Sequence, residues 1–213
     1  MSNLTSYINH NAEYEQDFAF EREQVAHEKN NSDNFKFLYQ DDVPHGNILD
    51  KYELNDAVDI GCGTGWFANY LVNQKDYKIV YAIEPSQAAV DIAKKLYPDQ
   101  KKVKYIVGFA EEVISKLKLK TPTLFSTMCV LAHIPDQPVI QILEAVDQVA
   151  PIGSVLTFSE PWGPEYHRDC WHIRDAEWWS NQMPEWEFEF YANYLLPDPS
   201  DQSRYKGFSA IKS

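Results

Sequence analysis

Residues 57–72 read Ala-Val-Asp-Ile-Gly-Cys-Gly-Thr-Gly-Trp-Phe-Ala-Asn-Tyr-Leu-Val, and no other stretch limits the fold as tightly. The apolar start predicts a strand, the glycines a tight turn, and Trp66 onward a helix. Glycines let backbone amides approach a ligand closely, and the first amides of a helix favour a negative group. A nucleotide-like cofactor is therefore expected at this turn. A dinucleotide fold asks for G-x-G-x-x-G, whose third glycine packs the helix on the strand. Here that position is Trp66, and the glycines run Gly61-x-Gly63-x-Gly65. Glu84 closes the next apolar run, Tyr77–Ile83, 25 positions after Asp59 and within one strand-helix-strand unit. A carboxylate at the end of that second strand is placed to accept both ribose hydroxyls of an adenosine.

Three further stretches follow in order: Ala82-Ile83-Glu84-Pro85-Ser86, Leu131-Ala132-His133-Ile134-Pro135-Asp136, and Val149-Ala150-Pro151-Ile152-Gly153-Ser154. Together with Val58–Gly65 they resemble, in order and spacing, the class I S-adenosylmethionine-dependent methyltransferases across residues 55–160. The resemblance implies an α/β fold: a Rossmann-like seven-stranded mostly parallel sheet with an antiparallel last strand, helices on both faces and an N-terminal helical lid. It also implies S-adenosylmethionine as cofactor. Two alternatives stay open on the sequence. One is a non-catalytic cofactor-binding or interaction module of the same fold. The other is a nicotinamide-dependent oxidoreductase, which Trp66 opposes.

The chain has 213 residues, the length of one domain with a full core. Its formal net charge of −13 argues against unaided binding to a phosphate backbone, which needs clustered Lys and Arg. No Asn-Pro-Pro-Tyr-type motif of amino-methylating nucleic-acid enzymes is present. A small-molecule acceptor, methylated at oxygen or nitrogen, is expected instead of nucleic acid. Three cysteines, at 62, 129 and 170, make no disulfide framework and show no metal spacing. The N-terminus has no signal-peptide pattern, and no apolar run approaches the roughly 20 residues that span a bilayer. The expectation is a cytoplasmic protein with no membrane partner; the oligomeric state stays unread.

We divide the chain into a lid (1–50), a cofactor-binding core (51–160), an aromatic acceptor-site insert (161–186) and a C-terminal strand pair (187–213). Strands are expected at 56–60, 78–83, 103–107, 123–129 and 154–160. Helices are expected near 65–74, 86–96, 110–118, 137–149 and 174–182, with Ser86 and Asp136 as N-caps. Period-two alternation in Glu185–Phe190 and in Arg204–Ile211 predicts two more strands. Five of the six tryptophans lie between 162 and 186.

Methyl transfer from an activated donor mainly requires that two reactants be positioned. The resemblance places Gly61, Cys62 and Gly63 on the cofactor by backbone contact, Glu84 on the ribose, and Pro85 beside the adenine. Asp59 orients the loop or the methionine amino group, and Cys129 and Leu131 lie under the methionine arm. The family usually has a Gly-Asp-Ala-Glu pattern after the third strand, whose Asp holds the adenine amino group. This chain has Gly108-Phe109-Ala110-Glu111, so the backbone of Ala110 or the carboxylate of Glu111 must substitute. On the acceptor side His133, Glu160 and His167 are candidate catalytic groups; for His133 the alternative is a structural turn residue. Trp162, Trp171, His172 and Arg174 are candidates for the acceptor pocket, with Tyr14 and Tyr39 of the lid closing it. Aromatic walls suit a ring or a cation; the alternative is an apolar cap on the sheet. His167 and His172 are five apart, which is not a helical pair, and no metal is expected.

Overall fold

The computed structural model describes Leu49 and residues 51–128, 130–161, 172–195 and 204–213. The expected lid over 1–50 lies outside the described residues, apart from Leu49. One sheet of seven strands organises the molecule. The strands are β1 (Asp56–Ile60), β2 (Ile79–Glu84), β3 (Val103–Val107), β4 (Thr123–Met128), β5 (Val155–Pro161), β6 (Trp186–Leu195) and β7 (Arg204–Lys212). Their order is β3-β2-β1-β4-β5-β7-β6. β1 through β5 pair in parallel. β7 runs antiparallel between β5 and β6. The Rossmann-like sheet with one reversed strand is thus the architecture that the sequence predicts.

The helices are α1 (Trp66–Gln74), α2 (Gln87–Leu96), α3 (Ala110–Ile114), α4 (Asp136–Val149) and α5 (Ala176–Gln182). β1 is buried along Ala57–Ile60, as a central parallel strand must be. Side chains alternate across a sheet, so its residues serve two cores. Val58 and Ile60 join Phe125, Phe158, Ile142, Leu143 and Trp179 on the α4 face. Ala57 joins Phe67, Leu71, Val80 and Leu124 on the α1 face. Asp59 shares the parity of Ala57 and so points under α1.

Local chemistry sets the helix ends. Ser86 caps α2: its hydroxyl accepts from the Ala89 N–H at 3.1 Å. Asp136, expected as a cap, is instead the first residue of α4; Pro135 stands at the cap position and no side chain caps there. The Asp136 carboxylate goes to Arg174. α3 stops at Ile114 rather than near 118. From Lys116 to Lys120 the sequence alternates, and Leu117 and Leu119 pack on the core while the lysines stay exposed. That is an extended pattern and not a helical one. α5 begins at Ala176, because the Asp175 carboxylate accepts from the Trp178 N–H at 2.8 Å and caps it. Tryptophan is buried here as well: Trp179 lies against Phe158 and Phe208, with ring centroids 4.4 and 5.4 Å away.

Candidate cofactor and active site

The strand order reverses between β1 and β4, which are paired in parallel, and in such sheets ligands bind at the carboxyl ends of the strands at that switch point. Three segments converge there: the turn after β1, the end of β2 and the turn after β4. The first is tied to the second. Gly61 N–H and Cys62 N–H both donate to the Ile83 carbonyl, at 2.9 and 3.0 Å. Gly63 N–H donates to Glu84 Oε2 at 2.9 Å, and Ser86 N–H to Glu84 Oε1 at 3.0 Å. Glu84 is 2% exposed. A carboxylate offers about four acceptor sites, so two amides do not exhaust it.

The glycines are needed for two different reasons. Gly61 adopts φ 69°, and a Cβ there would lie 2.6 Å from Cγ2 of Val130. The turn after β4 therefore presses directly on the glycine turn. Gly65 adopts φ 82°, and a Cβ would lie 2.4 Å from the Tyr105 hydroxyl. Asn69, buried on α1, donates to the Gly65 carbonyl at 2.6 Å and to the Tyr105 hydroxyl at 2.7 Å. Burial, chiefly, raises the Tyr105 phenol above its ordinary value. Trp66 opens α1 and stacks on Tyr70, with centroids 5.5 Å apart. The third glycine of a dinucleotide turn has no counterpart here.

Asp59 is buried beneath this turn, and its Oδ2 has no hydrogen-bond partner. Burial pushes its pKa up to about 7; an Ala68 backbone N–H pulls the other way, and the nearby Glu84 raises it further. An acid whose folded pKa is raised supports the fold fully below its ordinary value, and that support is lost as pH rises toward the folded value. Urea unfolding of the ligand-free chain is accordingly expected to show stability falling between about pH 4 and pH 7. Asp59→Asn should flatten that slope. An unchanged slope in the Asn protein would remove Asp59 as its source.

Phe109 occupies the position where an Asp was sought after β3, and its ring packs on the α4-side core. Ala110 opens α3. Glu111, in the first turn of that helix, keeps a buried Oε2 with no hydrogen-bond partner. Burial raises its pKa, against a lowering by its own N–H, and Glu112 adds to the rise. Pro85 lies between Glu84 and the Ser86 cap, and Cys62 is buried in the glycine turn.

The turn after β4 is a short 3₁₀ segment, Leu131–His133. Leu131 is buried, and His133 is half-buried at its end. Arg174 is 6% exposed. Its guanidinium donates to the carbonyls of Leu131 (2.8 Å), Ile134 (2.6 Å) and His172 (3.3 Å). Nε and Nη2 each lie 2.9 Å from Asp136 Oδ1. Arg174 therefore faces inward on this turn. His172 N–H donates to the Ala132 carbonyl at 2.7 Å, and burial, then Arg174, lowers the His172 imidazole pKa, while Asp136 raises it. Glu160 lies near the end of β5, in register with Lys206 of β7. Tyr14, Tyr39, Cys129, Trp162, His167 and Trp171 lie outside the described residues.

The structure thus brings together Asp59, Gly61, Cys62, Gly63, Glu84 and Pro85 at one edge, with Leu131 beside them through Val130. Sequence reasoning missed Asn69, Tyr105 and Val130. These contacts join positions distant in the chain, and no local pattern announces them. The buried lone oxygen of Asp59 suits a cationic amino group, and the clamped carboxylate of Glu84 suits a ribose diol. The residues present thereby fit S-adenosylmethionine.

A turn, an acid and a strand order of this kind define a Rossmann-like fold of the methyltransferase type. Residues 58–157 match the family model for the methyltransferase domain. No curated protein matches the chain. A chain of the complex between the Haloferax volcanii Trm112 methyltransferase activator and a methyltransferase superposes with TM-score 0.67 at 13% identity, over 94% of this chain and 97% of that one. A Mesorhizobium loti S-adenosylmethionine-dependent methyltransferase superposes with TM-score 0.53 at 18% identity, over 73% and 90%. The Haemonchus contortus phosphoethanolamine N-methyltransferase 1, solved with phosphoethanolamine and S-adenosylhomocysteine, gives TM-score 0.57 at 14% identity, over 79% and 42%. The chain carries a methyltransferase domain over residues 58–157. It is an enzyme whose methyl donor is S-adenosylmethionine.

Proposed function

We propose that this enzyme transfers the methyl group to oxygen or nitrogen of a small-molecule acceptor. The observation that carries the acceptor class is the charge: 32 acidic against 19 basic residues, net −13. Such a surface repels a phosphate backbone and favours a neutral or cationic acceptor. The phosphoethanolamine enzyme with which the chain shares its fold acts on an acceptor of that size. When bound, S-adenosylmethionine supplies an already activated methyl group.

The chain's own residues supply position. Glu84 accepts from the ribose hydroxyls while the amides of Gly63 and Ser86 hold its carboxylate still. Asp59 accepts from the methionine amino group through the oxygen that has no partner in the free chain. Gly61, Cys62 and Gly63 line the methionine arm with backbone, and Leu131 and Cys129 lie beneath it. Pro85 flanks the adenine, and Glu111 or the backbone of Ala110 takes its amino group. His133, Glu160 or His167 receives the acceptor proton where the acceptor is a hydroxyl; a free amine needs a base less. The lid (1–50) and the insert (161–186), with Tyr14, Tyr39, Trp162, Trp171, His172 and Arg174, enclose the acceptor. The cytoplasmic setting belongs to this proposal; among the described residues no helix is long and apolar enough to cross a membrane.

Methyl-labelled S-adenosylmethionine offers the test. The enzyme is incubated with label and a cell extract, and the products are separated into small molecules and macromolecules. Enzyme-dependent label among the small molecules is expected. Label confined to protein or nucleic acid would overturn the acceptor class and leave the donor assignment untouched.

A further inference from the structure

We propose that Arg174 is a positioning residue: it locks the turn after β4 to the aromatic helix α5, so that the cofactor side and the acceptor side of the site are held as one unit. The inference rests on the reading above that this turn borders both reactants.

The contacts run without a break from the glycine turn to the sheet's far half. Gly61 leaves no room for a Cβ beside Val130. Val130 leads into Leu131–His133, whose surrounding carbonyls are taken from one side. Leu131 and Ile134 accept from Arg174, and Ala132 accepts from the His172 N–H. The guanidinium carbon lies 4.9 Å from the ring centroid of Trp178 and 5.7 Å from that of Trp179. Trp179 in turn packs on Phe158 of β5 and Phe208 of β7. One side chain thereby fixes two carbonyls of the turn and rests on two rings of α5.

Only a planar fork with several donors can do this. A lysine would bring the charge to one point and could not serve the Leu131 and Ile134 carbonyls and Asp136 together, although the Leu131 carbonyl keeps the Ile134 N–H at 3.2 Å. The cation is itself neutralised by Asp136, whose side chain is 61% exposed. Asp136 is the first residue of α4, so the same arginine also ties that helix end to the turn. A group that served only the core needs none of this fork; an apolar side chain of similar length would pack as well.

The test uses the full chain and S-adenosylhomocysteine as probe, by calorimetry and by tryptophan emission. In the unaltered protein the probe is expected to bind and to shift the emission. Arg174→Ala takes the guanidinium from the Leu131 and Ile134 carbonyls of the turn, so it should bind the probe at least about tenfold more weakly, with the emission shift lost. Guanidinium chloride, far below denaturing concentration, should restore both, and equal sodium chloride should not. Arg174→Lys should also bind weakly, while its thermal midpoint falls by only a few degrees and the protein stays folded at the assay temperature. Two results would overturn the proposal: Arg174→Lys binding the probe as tightly as the parent, or an affinity loss that guanidinium does not reverse and that merely follows lost thermal stability. If Arg174→Ala does not fold, the lysine variant decides alone. Failure of the unaltered protein to bind the probe would instead strike the donor assignment.

Discussion

Glu84→Ala is expected to weaken S-adenosylmethionine binding by about a hundredfold or more. Hydrogen bonds to a charged group contribute about 1.5–3 kcal/mol each, and two ribose hydroxyls meet this carboxylate. Losing both costs at least about 3 kcal/mol, and each 1.4 kcal/mol is tenfold. The free protein suffers as well. The carboxylate accepts from Gly63 N–H at 2.9 Å and Ser86 N–H at 3.0 Å in a site that is 2% exposed. Alanine leaves two buried amides without acceptors, at about 1–3 kcal/mol each. Glu84→Gln separates the effects. Its one carbonyl oxygen can serve one amide, but its NH₂ faces the other, so affinity and stability should both fall part of the way. Calorimetry gives the affinity and urea unfolding the stability. Parent-like affinity in Glu84→Ala would mean that the ribose lies elsewhere.

The second large effect is expected at Gly61. Its φ of 69° lies in the left-handed region, which costs a side-chain-bearing residue about 1–2 kcal/mol. The added Cβ would also meet two methyl groups of Val130, at 2.6 and 2.7 Å. Overpacking of that kind costs typically about 1–3 kcal/mol. Gly61→Ala should therefore lose about 2–5 kcal/mol, a fall in thermal midpoint of roughly 5–15 °C for a chain of this size. Because the turn must also shift, cofactor affinity falls with it. Trimming Val130 to alanine in the same protein removes the two methyl contacts, leaves its Cβ 3.2 Å away and keeps the strained φ. The double variant should regain about half of the loss, since neighbours in contact are not additive. No recovery would mean that backbone strain alone sets the cost.

Much of the core was legible because it is written locally. The apolar run of β1, the glycine turn and the start of α1 are contiguous, and Glu84 ends the very next strand. Ser86 was legible as a cap because the signal is one residue before a periodic run. The reversed β7 was legible from alternation in Arg204–Ile211 together with the family resemblance. What stayed hidden depends on contacts between distant positions. Asn69 and Tyr105 are 36 positions apart. Arg174 reaches back 43 positions to Leu131, and so reads in sequence as a candidate for the acceptor pocket and not as a partner of this turn. Asp136 looked like a cap because nothing nearby competes for it; a distant arginine does. α3 was read too long because the helical pattern that starts at Ala110 was carried past Ser115, although Lys116–Lys120 alternates as an extended segment does.

The central claim is that S-adenosylmethionine lies between the glycine turn after β1 and the carboxylate of Glu84. A crystal structure with S-adenosylhomocysteine tests it most directly. The account predicts both ribose hydroxyls within hydrogen-bond distance of Glu84, the amino group beside Asp59, and the methionine arm over Gly61 and Gly63. A ribose bound away from Glu84, or a cofactor held at another edge of the sheet, would contradict it.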